Sequence, residues 1–102
     1  MTLPVVYRPR AQSDLTAEYD WYEQQRAGLG EDFLAAIQAT SKRIGEYPEI
    51  FRAAHGEIRR AIVPRFPFAM FYLLELNRAV VLRVLHTARD PKLWPRLTRN
   101  LP

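Results

Sequence analysis

Three side chains able to grip an anion lie within apolar runs in the second half of this chain: Arg59, Tyr72 and Arg83. Guanidinium forks bind phosphate bidentately, and the same geometry stabilises negative charge developing on a phosphoryl group in transfer. A tyrosine between two arginines adds a surface on which a base can stack. The ordinary alternative is that both arginine stems lie over an exposed sheet and keep their heads in water. Downstream, His86, Arg89, Asp90, Lys92 and Trp94 fall within nine positions at the exit of the last apolar run. His86 is the best local general acid or base, because imidazole changes charge near neutrality. A structural hydrogen bond to the backbone is an equal prospect for it. Arg89-Asp90-Pro91 reads first as a turn, and Trp94 either packs on a sheet edge or offers a stacking surface. Trp21, between Asp20 and Tyr22, marks a partly exposed position where a partner could dock.

These residues need a scaffold, and hydrophobic spacing supplies one. Residues 3–7 read as a short strand ended by Pro9, with Pro4 tolerable only at a strand start or edge. Ala11, Leu15, Tyr19 and Tyr22 recur at helical spacing over 10–25. Phe33, Leu34, Ile37, Ser41 and Ile44 trace a second helical stripe over 31–46, with Glu31 and Asp32 suited to its positive N-terminus and Pro48 closing it. The glycines at 28 and 30 interrupt the two patterns, which makes an antiparallel helical hairpin. Residues 49–56 have no clear periodicity. Three strands follow at 58–63, 68–75 and 79–86, joined by Pro64-Arg65-Phe66-Pro67 and by Asn77-Arg78. The expected fold is α+β, with an N-terminal strand, a helical hairpin and an antiparallel three-strand meander in one small sheet, helices on one face.

If the two loops are the four and two residues just named, Val63 opposes Phe68 and Ala79 opposes Leu76. Arg59, Tyr72 and Arg83 then stand side by side. The face with Ile58, Ile62, Phe71, Leu73, Leu82 and Val84 is the more continuously apolar, so the helices are expected to cover it. Arg59, Tyr72 and Arg83 fall on the other face, and alanine at both arginines should leave the fold intact. His86 falls on the helix side, and His55 in an exposed loop.

At 102 residues the chain is expected to form one domain, residues 1–102, with a core that needs neither disulfide nor metal. It has no cysteine, which excludes thiol chemistry and cysteine-based metal sites. No apolar run approaches the ~20 residues of a membrane-spanning helix, and the first residues lack a secretory pattern, so a cytoplasmic location is expected. No HExxH or paired-histidine spacing occurs, and the GLGE at 28–31 fits neither GxGxxG nor a Walker loop, so neither metal nor cofactor is expected. The net charge of +4 is unevenly divided: residues 1–51 carry −3 and residues 52–102 carry +7. A positive field on one half favours nucleic acid or an acidic protein segment, where the bland reading is solubilising charge.

Taken in order, Tyr7-Arg8-Pro9-Arg10-Ala11 with Asp14-Leu15, Ile44 to Pro48, Ile58-Arg59-Arg60, Arg65-Phe66-Pro67-Phe68 with Phe71-Tyr72, and Val84-Leu85-His86 with Arg89-Asp90-Pro91 and Trp94 resemble the RelE/ParE superfamily of type II toxins. The resemblance implies a growth-inhibiting toxin neutralised by a cognate antitoxin, whose acidic and apolar segments would suit the basic half. RelE-like members cleave messenger RNA on the ribosome; ParE-like members poison DNA gyrase. Arg59 and Arg83 match positions where the ribonucleases place phosphate-stabilising arginines, and His86 lies where some have an acid or base. A nuclease reading would use Arg59, Arg83, His86, Arg89 and Lys92. The C-terminal tyrosine of those enzymes is missing, and Trp94 near its place cannot take a proton. The His-x-x-Arg-Asp-Pro-x-x-Trp ending is more similar to ParE, which favours gyrase poisoning with Arg59, Arg60, Tyr72, Arg83, Arg89, Lys92 and Trp94 as contact residues and no catalytic group. A non-toxic toxin-fold partner of an antitoxin is the third reading, and a generic RNA-binding domain the last.

Overall fold

The computed structural model of the chain describes residues 2–88. Its elements are β1 (Val5–Tyr7), α1 (Pro9–Gln25), α2 (Leu29–Glu46), β2 (Ala53–His55), β3 (Ile58–Ile62), β4 (Phe68–Leu74) and β5 (Ala79–His86). They form one five-stranded sheet in the order β1-β5-β4-β3-β2, antiparallel throughout except that β1 runs parallel to β5. The expected α+β class and element order are those observed. The addition is β2, whose three residues are all exposed and so carry no apolar signal.

Pro9 opens α1 in the first turn, where its missing N–H would have had no helical partner. The join to α2 is tighter than the expected start at residue 31 suggested. Gly28 caps α2 in the left-handed region at φ 91°, which its missing Cβ permits. The Glu23 carboxylate reaches across from α1 and accepts the N–H groups of Gly28 at 3.1 Å and Gly30 at 2.7 Å. Those donors have no helical acceptor, so a side chain from the preceding helix lets α2 begin at Leu29. Gly30 is also the point of closest approach, since a Cβ there would lie 2.8 Å from the Tyr19 carbonyl oxygen.

The helices cover the face bearing Ala61, Val63, Phe68, Met70, Tyr72, Val81 and Val84, packed with Ala11, Phe33, Ile37 and Ile44. This corrects the expected face, of which only Val84 turns to the helices. The β3–β4 register is as expected, with Arg59 opposite Tyr72. The β4–β5 register is not: the turn lies one residue earlier than expected, with Glu75 N–H donating to the Arg78 carbonyl at 2.9 Å across Leu76 and Asn77, which pairs Ala79 with Leu74. A bulge follows, in which Tyr72 pairs with Val81 but Phe71 with Arg83, leaving Leu82 as the extra residue. Val81 and Val84 therefore share the helix side, while Leu82 and Leu85 share the other. That other face holds Ile58, Ala69, Phe71, Val80, Leu82 and Leu85, none more than 5% exposed. With both faces apolar, hydrophobic content could not choose between them.

Candidate functional site

Arg59 and Tyr72 are cross-strand neighbours on the covered side, not the open one. Arg59 Nη1 donates to the carbonyls of Phe51 at 2.7 Å and Glu49 at 3.2 Å. The Tyr72 hydroxyl donates to the Pro48 carbonyl at 2.7 Å. The segment after α2 has no regular ladder for these carbonyls, and the two side chains satisfy them instead. Tyr72 has no exposed surface, and burial pushes its phenol up to about 12, with the Arg59 charge pulling back. A tyrosine held this way neither stacks a base nor gives up a proton near neutral pH.

Arg83 is separated from that pair by the bulge. Its Nε and Nη2 donate to the two oxygens of Asp14 on α1 at 2.8 and 3.0 Å. The same carboxylate accepts the Val84 N–H at 2.9 Å. Hydrogen bonding to Asp14 raises the Arg83 pKa above its ordinary value, against the opposing effect of burial. β1 pairs with β5 only through Val81, and Arg8 N–H caps the Val81 carbonyl. Asp14 thus takes over the strand edge where β1 ends. Both guanidiniums are structural donors, so the expectation that alanine at Arg59 and Arg83 leaves the fold intact loses its premise that neither side chain meets the helices or the segment after them.

Beside that edge lies a groove of about 450 Å³, lined by Asp14, Glu18, Trp21, Tyr22, Pro67, Phe68 and residues 83–86. His86 is exposed there on the helix side; its ring stands edge-on to Phe68 with centroids 5.5 Å apart. Its Nδ1 accepts the Ala88 N–H at 3.1 Å, the structural bond weighed from sequence. Trp21 is 52% exposed, as the partly exposed position expected of it. Arg60 lies on β3 opposite Phe71, and His55 is exposed within β2 rather than in a loop. Arg89, Asp90, Lys92 and Trp94 lie outside the described residues. Glu18 drew no attention in the sequence beyond its polar helix position, and Asp14 only as part of the family pattern. Their importance depends on which strand α1 covers.

No three described His, Asp or Glu residues gather as a metal site. No helix among the described residues is long and apolar enough to cross a membrane. Two helices over a sheet whose first strand joins parallel to the last, with its arginine and tyrosine donors held internally, define a small α+β domain. The chain belongs to the family described as the ParE toxin of the type II toxin-antitoxin system, parDE, whose family model matches residues 5–91. A solved structure from P. aeruginosa, titled as a chromosomal ParDE TA system, shares the fold with a TM-score of 0.74 at 17% identity. The match covers 83% of this chain and 96% of that one. No functionally curated protein matches the chain.

Proposed function

We propose that this ParE-family toxin arrests growth by poisoning DNA gyrase in the cytoplasm and is neutralised by a cognate antitoxin. The observation that carries the reading is the internal commitment of Arg59, Tyr72 and Arg83. Nη1 of one arginine donates to two backbone carbonyls, the other arginine is paired with Asp14, and the phenol is buried. RNA cleavage needs arginine donors aimed at the reacting phosphate and a base within reach of the attacking hydroxyl. The groove around His86 instead presents the Glu18 carboxylate beside an Asp14–Arg83 pair whose charges offset, and the Glu18 charge repels a phosphate. A binding mechanism asks for no such constellation. Its contacts are assigned to the basic half, including Arg60, Arg89, Lys92 and Trp94, whose positive field would speed encounter with gyrase-bound DNA or an acidic antitoxin segment.

The deciding experiment adds the purified protein to gyrase and relaxed plasmid, scoring lost supercoiling and trapped cleaved DNA. Both should rise with toxin concentration and vanish on adding the antitoxin. Folded protein that leaves gyrase untouched but cleaves messenger RNA on ribosomes would overturn the reading. Inactivity in both assays would move the chain to the non-toxic class.

A further inference from the structure

One residue departs from its local conformational preference. Arg65 has φ 68°, in the left-handed region, where among the described residues the other positive values belong to Gly28 and Gly56. A Cβ crowds the backbone there, so glycine or asparagine takes such a turn position at lower cost. The loop around it is tied at both ends. Val63 N–H donates to the Phe68 carbonyl at 2.9 Å, Phe68 N–H to the Phe66 carbonyl at 2.8 Å, and Thr87 N–H holds the Pro67 carbonyl from β5. Phe66 turns inward, edge-on to Tyr22 and Phe33 with ring centroids 5.2 and 5.5 Å away, and Pro67 confines it to extended backbone. The reversal therefore falls on Arg65. Its side chain is exposed and makes no hydrogen bond or ion pair among the described residues.

A strained position whose side chain forms no bond within the fold points to something that side chain meets outside it. The hairpin tip at the other end of the sheet makes the contrast, since its Arg78 is paired with Glu75 at 2.6 Å. At the Arg65 end, positive charge is reinforced instead. The Thr87 bond sets the exit of β5 beside Pro67, and the sequence that follows, residues 89–102, has four Arg or Lys against one Asp. A guanidinium fork grips a phosphate, and a loop already held in one geometry loses little freedom on contact. We propose that Arg65 is a phosphate contact presented by the β3–β4 loop, and that its ligand is the backbone of duplex DNA. The choice of DNA rests on the proposed function; the anion-binding role of Arg65 rests on the loop.

The test measures binding of the purified full chain to a fluorescein-labelled DNA duplex of about 20 base pairs by anisotropy, over salt from about 50 to about 300 mM and without gyrase. The parent should bind, and Arg65→Gly should bind at least about fivefold more weakly, with the slope of log K against log salt shallower by about 0.9, one phosphate contact fewer. Arg65→Lys should keep the slope. Thermal melting separates contact from scaffold: Arg65→Gly should match the parent's Tm or exceed it by up to about 5 °C, because glycine relieves the left-handed turn. No duplex binding by the parent at about 50 mM salt, an unchanged affinity or slope in Arg65→Gly, or a Tm lowered by more than about 5 °C would each overturn the proposal. So would tighter binding to single-stranded RNA of the same length. Loss of gyrase inhibition in Arg65→Gly with DNA binding intact would overturn it too, by assigning the arginine to a protein surface. Because the DNA assay contains no gyrase, a parent that binds DNA through Arg65 yet spares gyrase sinks the toxin reading alone.

Discussion

Replacing Asp14 with alanine tests the joint between α1 and β5. The carboxylate accepts two guanidinium donors of Arg83 and the Val84 amide, and the two side chains of the pair are only 15% and 18% exposed. Without it, a mostly buried guanidinium and a strand-edge amide lose their acceptor. Breaking a fully buried pair costs about 3–5 kcal/mol, and a hydrogen bond to a charged group contributes about 1.5–3 kcal/mol. Arg83 retains some access to water, which offsets part of the loss, so the predicted cost is about 2–3 kcal/mol. For a domain of this size that lowers Tm by roughly 10–20 °C. Asp14→Asn keeps an oxygen for the Val84 amide but loses the charge, and should lose about half as much. Urea unfolding at unchanged m-value measures the global effect. Hydrogen exchange supplies the local readout: the Val84 amide should lose protection more than that of Leu73 on β4. An Asp14→Ala variant within about 0.5 kcal/mol of the parent, or an unchanged Val84 amide, would refute the reasoning.

Four further outcomes follow from other contacts in the fold. Tyr72→Phe removes the bond to Pro48 and should cost about 1 kcal/mol while gyrase inhibition per folded molecule persists; a large loss of inhibition would show that the phenol acts on the target. Because the Tyr72 phenol is raised to about 12 in the folded chain, the native state holds its proton longer than the unfolded state. Its contribution to stability is thus complete below about pH 10 and is lost as pH rises toward 12, and Tyr72→Phe should flatten that part of the stability profile relative to the parent. Arg59→Ala with Arg83→Ala should lower Tm in near-additive fashion, since the two arginines serve separate joints, and strong coupling in the double-mutant cycle would contradict that separation. Gly30→Ala places a Cβ 2.8 Å from the Tyr19 carbonyl and should cost about 1–3 kcal/mol through separation of the helices; a stabilised variant on thermal melting would count against the close packing.

Much of the fold was legible because its signals are local. The helical stripes, Pro9, the glycines at 28 and 30 and the apolar runs of β3 to β5 each report on a few neighbouring residues. Short turns then force antiparallel neighbours, which is why Arg59 and Tyr72 were paired correctly. β2 was hidden because a three-residue exposed edge strand needs no apolar alternation. The β4–β5 pairing failed for another reason. A turn displaced by one residue and a single bulged residue leave no compositional mark; the first shifts the pairing by two and keeps the faces, whereas the bulge reverses what the β5 side chains beyond Leu82 face. Arg83 consequently meets Asp14 on α1, a residue 69 positions away in the chain.

By itself the sequence determined the element order, the α+β class, the basic second half and the ParE-like pattern that the family match bears out. All of these depend on residue type and near-neighbour spacing. The tertiary structure decided which sheet face the helices take, that Arg59 and Tyr72 fasten the segment after α2, and that Asp14 closes on Arg83. Those outcomes depend on packing two apolar faces against limited helix surface and on finding acceptors for buried donors. Such choices are made between elements far apart in sequence, and no local pattern records them.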